Sequence, residues 1–311
     1  MLPKSLLGNQ LLSEIIGEHY LQGVPLSSLT RRFGLNLGTV IDALHRVGSR
    51  FHPALKQLKE EYRRAAVRHA DETGWRTDGH NGYSWLFCTG RVSVCLYRRT
   101  RSASVVKEVL GEKELDGVLV GDRYNGYNKA KCRIQYCYAH LLRDVEDLRD
   151  EFADEAEVQT FTTTVIPLLS EAMHLHGKAL SDEQYYRAAR KIKRQIEQAM
   201  KAEARHLGIR RIQDLFVEKA DRMYQWAKDR RVPADNNRAE RELRPTVIAR
   251  KVSFGSQSEA GAKTREIMMS VMQTLKKRVK DPIGEFKRAL DELALDANLD
   301  VVKTLFPAES G

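Results

Sequence analysis

The chain has 311 residues, 30% of them charged, and a formal net charge of +10 at pH 7. This length suffices for one large domain or two to three smaller ones, and the basic balance favours a polyanionic partner, nucleic acid in particular. A membrane partner is disfavoured because no apolar run reaches about 18 residues, and the N-terminus lacks the small-residue cleavage site of a signal peptide.

Two predicted helices near the N-terminus follow a first helix over 9–22. One runs from Pro25 to Arg32, a turn containing Gly34 follows, and the next begins at Gly38. This spacing is the helix-turn-helix pattern, whose second helix enters the major groove of DNA. An ordinary pair of antiparallel helices predicts the same pattern, so contact with DNA is one of two alternatives for this region.

The hydrophobic period changes near residue 69, and strand-like runs follow. Their order with the intervening helices, β-β-β-α-β-α-β-α, predicts an α/β fold. Its mixed sheet should have three antiparallel strands and then parallel additions through right-handed crossovers. The predicted strands cover 67–75, 83–90, 92–99, 117–122 and 132–138.

The cysteines form no CxxC pair, which argues against a structural zinc site. Cys88 and Cys95 lie in two of the strand-like runs and are interpreted as core thiols. Cysteines used in this way are typical of a reducing compartment, so a cytoplasmic protein is predicted.

A long, charged and helical pattern follows the strands, and Pro233 ends it. The chain is therefore divided into an N-terminal helical, helix-turn-helix-like region, a first core part, a helical insertion and a C-terminal core part. Their predicted boundaries are 1–65, 66–150, 151–232 and 233–311.

Three acidic residues stand out by position: Asp71 and Asp122 at the ends of two predicted strands, and Glu240 in a helix after the insertion. Carboxylates at adjacent strand ends converge at the carboxyl edge of an open α/β sheet. Oxygen ligands of this kind suit Mg²⁺ or Mn²⁺, ions that promote in-line phosphoryl transfer. A single strand-end aspartate is more often a turn or capping residue, and Glu72 competes with Asp71 because side chains alternate along a strand.

Glu240 lies in the basic stretch DNNRAERELRPTVIARK. Locally, Asn237 and Glu240 have the spacing of a capping box, an alternative to a metal-ligand role that is also compatible with it. Pro245 predicts that the helix ends or kinks near Arg244. The basic residues predicted to contact phosphates are Arg238, Arg241, Arg244, Arg250 and Lys251.

Four motifs are similar, in order, to those of a known family. They are DETGW at 71–75, GDRYNGY at 121–127, CYAH with a following LxR at 137–143, and DNNRAERxLRP at 235–245. Together with KSLLGNQLL near the start and KTLF near the end, they resemble the DDE-type transposases of the IS66 insertion-sequence family over about residues 1–305.

The resemblance implies an RNase H-like catalytic core whose mixed sheet is interrupted by a large all-helical insertion. It implies that Asp71, Asp122 and Glu240 form the catalytic, metal-binding triad. Cys137 and His140 would then help to order the site rather than bind zinc.

The chain also departs from the family pattern. Full-length relatives carry an additional N-terminal region with a coiled-coil-like segment and a cysteine-rich zinc-finger-like segment, so a truncated copy or a short subgroup is expected. Arg123 and Asn125 stand where the family has small residues, and RKVSFG replaces an RKNWLF-like sequence. These changes spare the triad and argue against efficient activity.

The leading interpretation is a DNA transposase that cuts insertion-element ends and joins their 3′-hydroxyls to target DNA, using Mg²⁺ or Mn²⁺. Its expected partners are DNA, a second copy of the chain on paired ends, and element-encoded accessory proteins, at the nucleoid in the bacterial cytoplasm. Two alternatives stay open. One is a truncated, non-catalytic derivative that occupies element ends as a repressor, and the other is a nuclease that cleaves without joining.

Overall fold

The computed structural model describes residues 5–296 and 298–307, so Lys4 of the KSLLGNQLL motif and the end of the predicted 233–311 region lie outside the described residues. The chain divides into two compact units. Unit 1 takes the described parts of 1–65, 71–111 and 239–311, and unit 2 takes 66–70 and 112–238.

The mixed sheet predicted from the sequence is confirmed, with five strands in the order β3-β2-β1-β4-β5. The strands are β1 (Val67–Thr77), β2 (His80–Cys88), β3 (Ser93–Arg98), β4 (Val118–Gly121) and β5 (Arg133–Tyr136). β2 and β3 are antiparallel, whereas β4 pairs in parallel with both β1 and β5. A 3-10 turn over Tyr127–Lys129 lies between β4 and β5, where a helix was expected.

Helices account for most of the remaining described chain. In chain order they are α1 (Asn9–Leu21), α2 (Leu26–Phe33), α3 (Leu37–Phe51), α4 (Ala54–Arg64), α5 (Ala103–Leu110), α6 (Tyr138–Glu151), α7 (Ala156–Leu175), α8 (Asp182–Lys201), α9 (Leu207–Glu218), α10 (Ala220–Met223), α11 (Gln225–Lys228), α12 (Asn237–Ser253), α13 (Glu259–Arg278), α14 (Pro282–Leu295) and α15 (Val301–Leu305).

The prediction that β1 ends at Asp71 is wrong, because the strand continues to Thr77. Asp78 and Gly79, at φ of 50° and 73°, form the turn into β2. An Asp-Gly dipeptide with both φ values positive is a strong hairpin signal, and it was not used in the prediction. Asp71 therefore lies inside β1, beyond the part of the strand that pairs with β4.

The helix pair predicted near the N-terminus is present as α2 and α3. Gly34 ends α2 in the left-handed region at φ 64°, and the Asn36 side chain caps α3 by accepting a hydrogen bond from the Gly38 amide at 2.8 Å. Both signals are visible in the sequence. The contact of this pair with DNA remains a prediction.

The core of unit 1 is built around α13. From Ala262 to Leu275 every residue except Lys263 is buried, and α13 packs against α1, α3, α4, α14 and β3. The methionines of α13, Met268, Met269 and Met272, are buried in this core.

β3 is an edge strand of the sheet, and polar side chains of α13 cover that edge. The Cys95 amide donates to Ser270 Oγ at 2.9 Å, and the Ser93 amide donates to Thr274 Oγ1 at 3.0 Å. An uncovered edge strand would leave these amides without partners or open to another chain. The spacing of four residues on α13 thus matches the spacing of two residues on β3.

Pro245 was predicted to end or kink α12 near Arg244, and an end there is wrong, because the helix runs through Pro245 to Ser253. Proline removes one helical hydrogen bond and costs about 3 kcal/mol in a helix interior. Leu243, Thr246 and Ala249 form a buried face on both sides of Pro245, and their packing offsets that cost.

Unit 2 contains β4, β5, the first residues of β1 and the helices α6 to α11. The predicted helical insertion is confirmed as helical, and its core is apolar around Tyr138, Phe216 and Trp226. None of the helices in the described ranges is long and apolar enough to cross a membrane.

Candidate functional site

Asp71 and Asp122 occupy equivalent positions along two parallel strands. The last paired residues of β1 and β4 are His69 and Val120. Asp71 lies two residues after His69, and Asp122 lies two residues after Val120. Residues two apart on a strand point to the same face of the sheet. The register therefore favours a common face for the two carboxylates.

Asp122 also shapes its own loop, because its Oδ1 accepts a hydrogen bond from the Tyr124 amide at 2.9 Å. This is an aspartate turn of the kind predicted as the alternative to a metal-ligand role. The second carboxylate oxygen is not used in that bond. The turn and a ligand role are thus compatible.

Glu72 is held by another side chain of unit 1. The Nε of Arg101 donates to Glu72 Oε1 at 2.7 Å, and only 2% of the Glu72 side chain is exposed. The Asp71 carboxylate instead accepts the Glu72 amide at 2.9 Å through its Oδ1. The Arg101 ion pair favours Asp71 over Glu72 as the ligand at this position.

A hydrogen-bond network in unit 2 is centred on Asn236. The Asn236 Nδ2 donates to the Ala70 carbonyl at 2.9 Å, and its Oδ1 accepts from His69 Nδ1 at 3.0 Å. The Asn236 amide donates to Cys137 Sγ at 3.1 Å, and the Cys137 amide donates to the Gly121 carbonyl at 2.8 Å. Asn236 and Cys137 are both buried.

This network fixes the backbone directly ahead of the candidate acids. Ala70 precedes Asp71, and Gly121 precedes Asp122. Asn236 is the residue before α12, the helix that carries Glu240 in its first turn. Buried polar groups of this kind rigidify a site because each of them is costly to leave without a partner.

His69 and Asn236 were missed by the sequence reasoning, which selected Asn237. Asn237 is the first residue of α12 rather than its cap, and its amide donates to Asp235 Oδ1 at 3.0 Å. A usable signal was the position of His69, two residues before Asp71 and therefore on the same face of β1.

Cys137 and His140 lie close together at the start of α6. The Cys137 Sγ and a ring nitrogen of His140 are within 4.8 Å of each other. Because Cys137 accepts the Asn236 amide, its thiol has a defined role in the packing of unit 2. Its burial ahead of a helix is consistent with the ordering role that was predicted for it.

The two glutamates of α12 differ in their surroundings. Glu242 forms an ion pair with Lys277 at 2.7 Å and accepts from Ser93 Oγ at 3.0 Å. It therefore belongs to the packing of α12 within unit 1. Glu240 lies in the first helical turn, where the helix dipole favours a carboxylate.

The basic residues of α12 form an exposed row. Spacing by three residues puts Arg238, Arg241 and Arg244 on one helix face, and Lys251 continues it. Arg250 differs, because its Nη1 donates to Thr73 Oγ1 at 3.0 Å and to the Gly74 carbonyl at 2.9 Å. We therefore assign Arg250 to the anchoring of α12 and the other four residues to the basic face.

The chain is similar to known proteins over most of its length. The sequence profile described as "Transposase IS66 family" matches residues 4–264. The chain is also 22% identical, over 236 residues, to the uncharacterized protein y4qI of Sinorhizobium fredii. That match covers 72% of this chain and 42% of the relative, so the chain spans less than half the length of the curated relative. No solved structure matches the chain.

Proposed function

Because the chain belongs to the IS66 family of transposases, we propose that it cuts the ends of an insertion element and joins their 3′-hydroxyls to target DNA. Asp71, Asp122 and Glu240 are the catalytic residues of this proposal. A second copy of the chain would act on the paired end, and accessory proteins of the element would take part in the full reaction.

The observation that carries the proposal is the Asn236 network. It ties together the backbone ahead of Asp71, the backbone ahead of Asp122 and the residue before α12. A catalytic constellation needs this kind of support, because reacting groups must be held in position before the substrate arrives. Asp71 and Asp122 each come two residues after the last paired residue of β1 or β4, His69 or Val120, and this spacing supports the same conclusion.

The donor set fits a divalent metal ion. Asp71, Asp122 and Glu240 offer hard carboxylate oxygens. Mg²⁺ and Mn²⁺ bind through few carboxylates together with phosphate oxygens. When bound, such an ion supplies activation of the attacking oxygen and stabilisation of the leaving one.

The basic face of α12 is proposed to hold the DNA backbone. Arg238, Arg241, Arg244 and Lys251 are exposed, and guanidinium groups bind phosphates through paired N–H donors. Such contacts position the duplex without reading its sequence. The α2–α3 pair, with its helix-turn-helix spacing, is proposed as a further contact with element ends.

A strand-transfer assay tests this function. The full chain is incubated with labelled element-end duplex, target plasmid and Mg²⁺, with EDTA as the control. The proposal expects cleaved ends and joined products that both depend on the metal. Binding without cleavage would identify an end-binding repressor instead, and cleavage without joining would identify a nuclease.

A further inference from the structure

A pocket in unit 1 is separate from the acids and from the basic face of α12. Its volume is about 290 Å³, and it is lined by parts of α1, α2 and α3, the end of α12, the loop after α12 and the first turns of α13. This volume is near the lower limit of roughly 300 Å³ for small-molecule sites. We call it the Arg265 pocket after its one arginine; none of its lining residues is aspartate or glutamate.

Arg265 is a buried cation in this pocket, with 7% of its surface exposed. Its Nη2 donates to His19 Nε2 at 2.7 Å, and its guanidinium lies over the rings of Tyr20 and Trp75 at 5.4 and 5.2 Å. Within the described ranges it pairs with no carboxylate. A buried charge without an ionic partner is costly, and a bound anion would offset the cost.

His19 does not neutralise Arg265. Burial, together with the charge of Arg265, lowers the pKa of His19 to about 3. Its Nδ1 is hydrogen-bonded to the Val24 carbonyl at 2.8 Å, so Nδ1 carries the proton and Nε2 accepts from Arg265. The imidazole is therefore neutral near pH 7, and the pocket keeps the positive charge of Arg265.

The polar side of the pocket also favours an anion. Ser258 caps α13 by accepting the Gly261 amide at 3.0 Å, and both residues line the pocket. The start of this long helix adds a partial positive charge. Ser27 and Ser256 supply hydroxyl groups that can donate to an anion.

Other lining side chains form an apolar and partly aromatic wall that begins beside Arg265, whose guanidinium lies over the Tyr20 ring. It includes Tyr20, Leu26, Ile41, Leu44 and Val252. A ligand that satisfies both walls has an anionic group at one end and a flat or apolar body at the other. Lys251, at the end of the basic face of α12, directly precedes Val252 of this wall.

We propose that the Arg265 pocket binds a single nucleotide, with its phosphate at Arg265 and the start of α13 and its base against the apolar wall. The choice of a nucleotide over other organic phosphates rests on the proposed function, since DNA is then the expected source. The pocket uses none of the residues assigned to DNA cleavage. It adds a site for one nucleotide to the sequence-independent backbone contacts of α12.

Calorimetric titration of the full chain with deoxyadenosine monophosphate, without divalent metal, tests the proposal. Binding is expected at micromolar to low millimolar concentration, and inorganic phosphate and deoxyadenosine should each bind at least about tenfold more weakly. The weakest affinity of interest for a site of this size is about 10 mM. The proposal would be overturned if the monophosphate did not bind at about this concentration, or if deoxyadenosine bound as tightly as the monophosphate. Since no metal or cleavage is involved, this result is independent of the strand-transfer assay.

Two exposed serines in the first turn of α2 provide a matched pair of variants. Ser27 lines the pocket and Ser28 does not. Ser27→Glu should weaken the monophosphate about threefold or more by charge repulsion, whereas Ser28→Glu, with the same change in net charge, should leave it unchanged. Equal effects of the two variants would contradict the pocket as the site.

Arg265→Gln should weaken binding about tenfold or more, and its fold is checked by circular dichroism because Arg265 also packs on Trp75. If it does not fold, the serine pair decides the question. Competition with a 5′-phosphorylated oligonucleotide identifies the source. If the oligonucleotide competes with the monophosphate and Ser27→Glu weakens this competition, the result supports a nucleotide within a DNA strand. If the oligonucleotide does not compete, DNA is overturned as the source.

Discussion

Two acids close in sequence to the candidate ligands, Glu72 and Glu242, form ion pairs within unit 1. Glu72 is paired with Arg101, and Glu242 is paired with Lys277. In sequence these residues look like equal candidates, because the alternation of a strand or the turn of a helix does not reveal which carboxylate meets a cation. The partners lie about thirty residues or more away along the chain, at positions that only the fold brings together.

The pH dependence of stability should carry the signature of His19. Its pKa is lowered to about 3 in the folded chain from an ordinary value of 6.5, mainly by burial and then by Arg265. Between these values the unfolded chain binds more protons, so stability rises with pH and is lost as the pH falls below about 6.5. We expect His19 to contribute a slope of up to about 1.4 kcal/mol per pH unit between pH 5 and 6, measured by urea unfolding.

His19→Gln should remove that contribution, and the exposed His80 provides the control. His80→Gln should keep the slope of the original chain, because His80 is exposed and does not line the Arg265 pocket. A slope that His19→Gln leaves unchanged would contradict the buried, neutral imidazole next to Arg265.

At the scale of elements, the segment before α12 positions the helix that carries Glu240. We expect Asn236→Ala to lower DNA cleavage by about ten- to 100-fold, because residues that support metal ligands have effects of this size. Binding of element-end DNA should change little. Asn237→Ala is the matched control, since the hydrogen bond of Asn237 to Asp235 is made by its backbone amide and survives the substitution. Equal losses in both variants would count against the Asn236 network.

The basic face of α12 and its anchoring residue should respond differently to salt. Replacing Arg241 and Arg244 by Gln should reduce the slope of log affinity for DNA against log salt by about 2, roughly one for each phosphate contact. Arg250→Gln should instead lower the free energy of unfolding by about 1–2 kcal/mol, through loss of its bonds to Thr73 and Gly74.

Filter binding at several salt concentrations, with urea unfolding in parallel, separates the two effects. If Arg250→Gln reduced the salt slope as much as the double variant does, Arg250 would be one of the phosphate contacts, as was predicted from the sequence. An unchanged slope in the double variant would remove the basic face of α12 from the DNA interface.

Local patterns predicted most elements of this fold but not all of their ends. Periodicity and turn residues predicted the N-terminal helices, the hairpin of β2 and β3, and the helical insertion. β1 and α12 were predicted too short, because tertiary contacts extend β1 beyond Asp71 and carry α12 through Pro245. Intrinsic propensity is a weak prior where a buried face is large.

For the candidate site, the sequence could predict residue types but not their partners. Asp71, Asp122 and Glu240 were selected from strand ends, a helix start and a family resemblance. His69 and Asn236 were not predicted because they are far apart in sequence and come together only in the fold. The Arg265 pocket was not predicted either, because nothing in the sequence around Arg265 indicates that its side chain is buried.

For the molecule as a whole, family membership and the candidate site point to the same chemistry. The family match runs from residue 4 to residue 264 and so includes parts of both units. The pocket at Arg265 lies in unit 1, and the Asn236 network lies in unit 2. A transposase of this design would bind DNA through exposed basic residues and hold its acids on a backbone fixed by buried hydrogen bonds.

The most direct test of the central claim is cleavage of labelled element-end DNA by Asp122→Asn, compared with Asp116→Asn. Asp116 is an exposed residue shortly before β4, so the two variants change the net charge equally. The account predicts that Asp122→Asn loses metal-dependent cleavage by at least about 100-fold and still binds the DNA, while Asp116→Asn cleaves normally. An Asp122→Asn chain that still cleaves at the original rate would contradict the account.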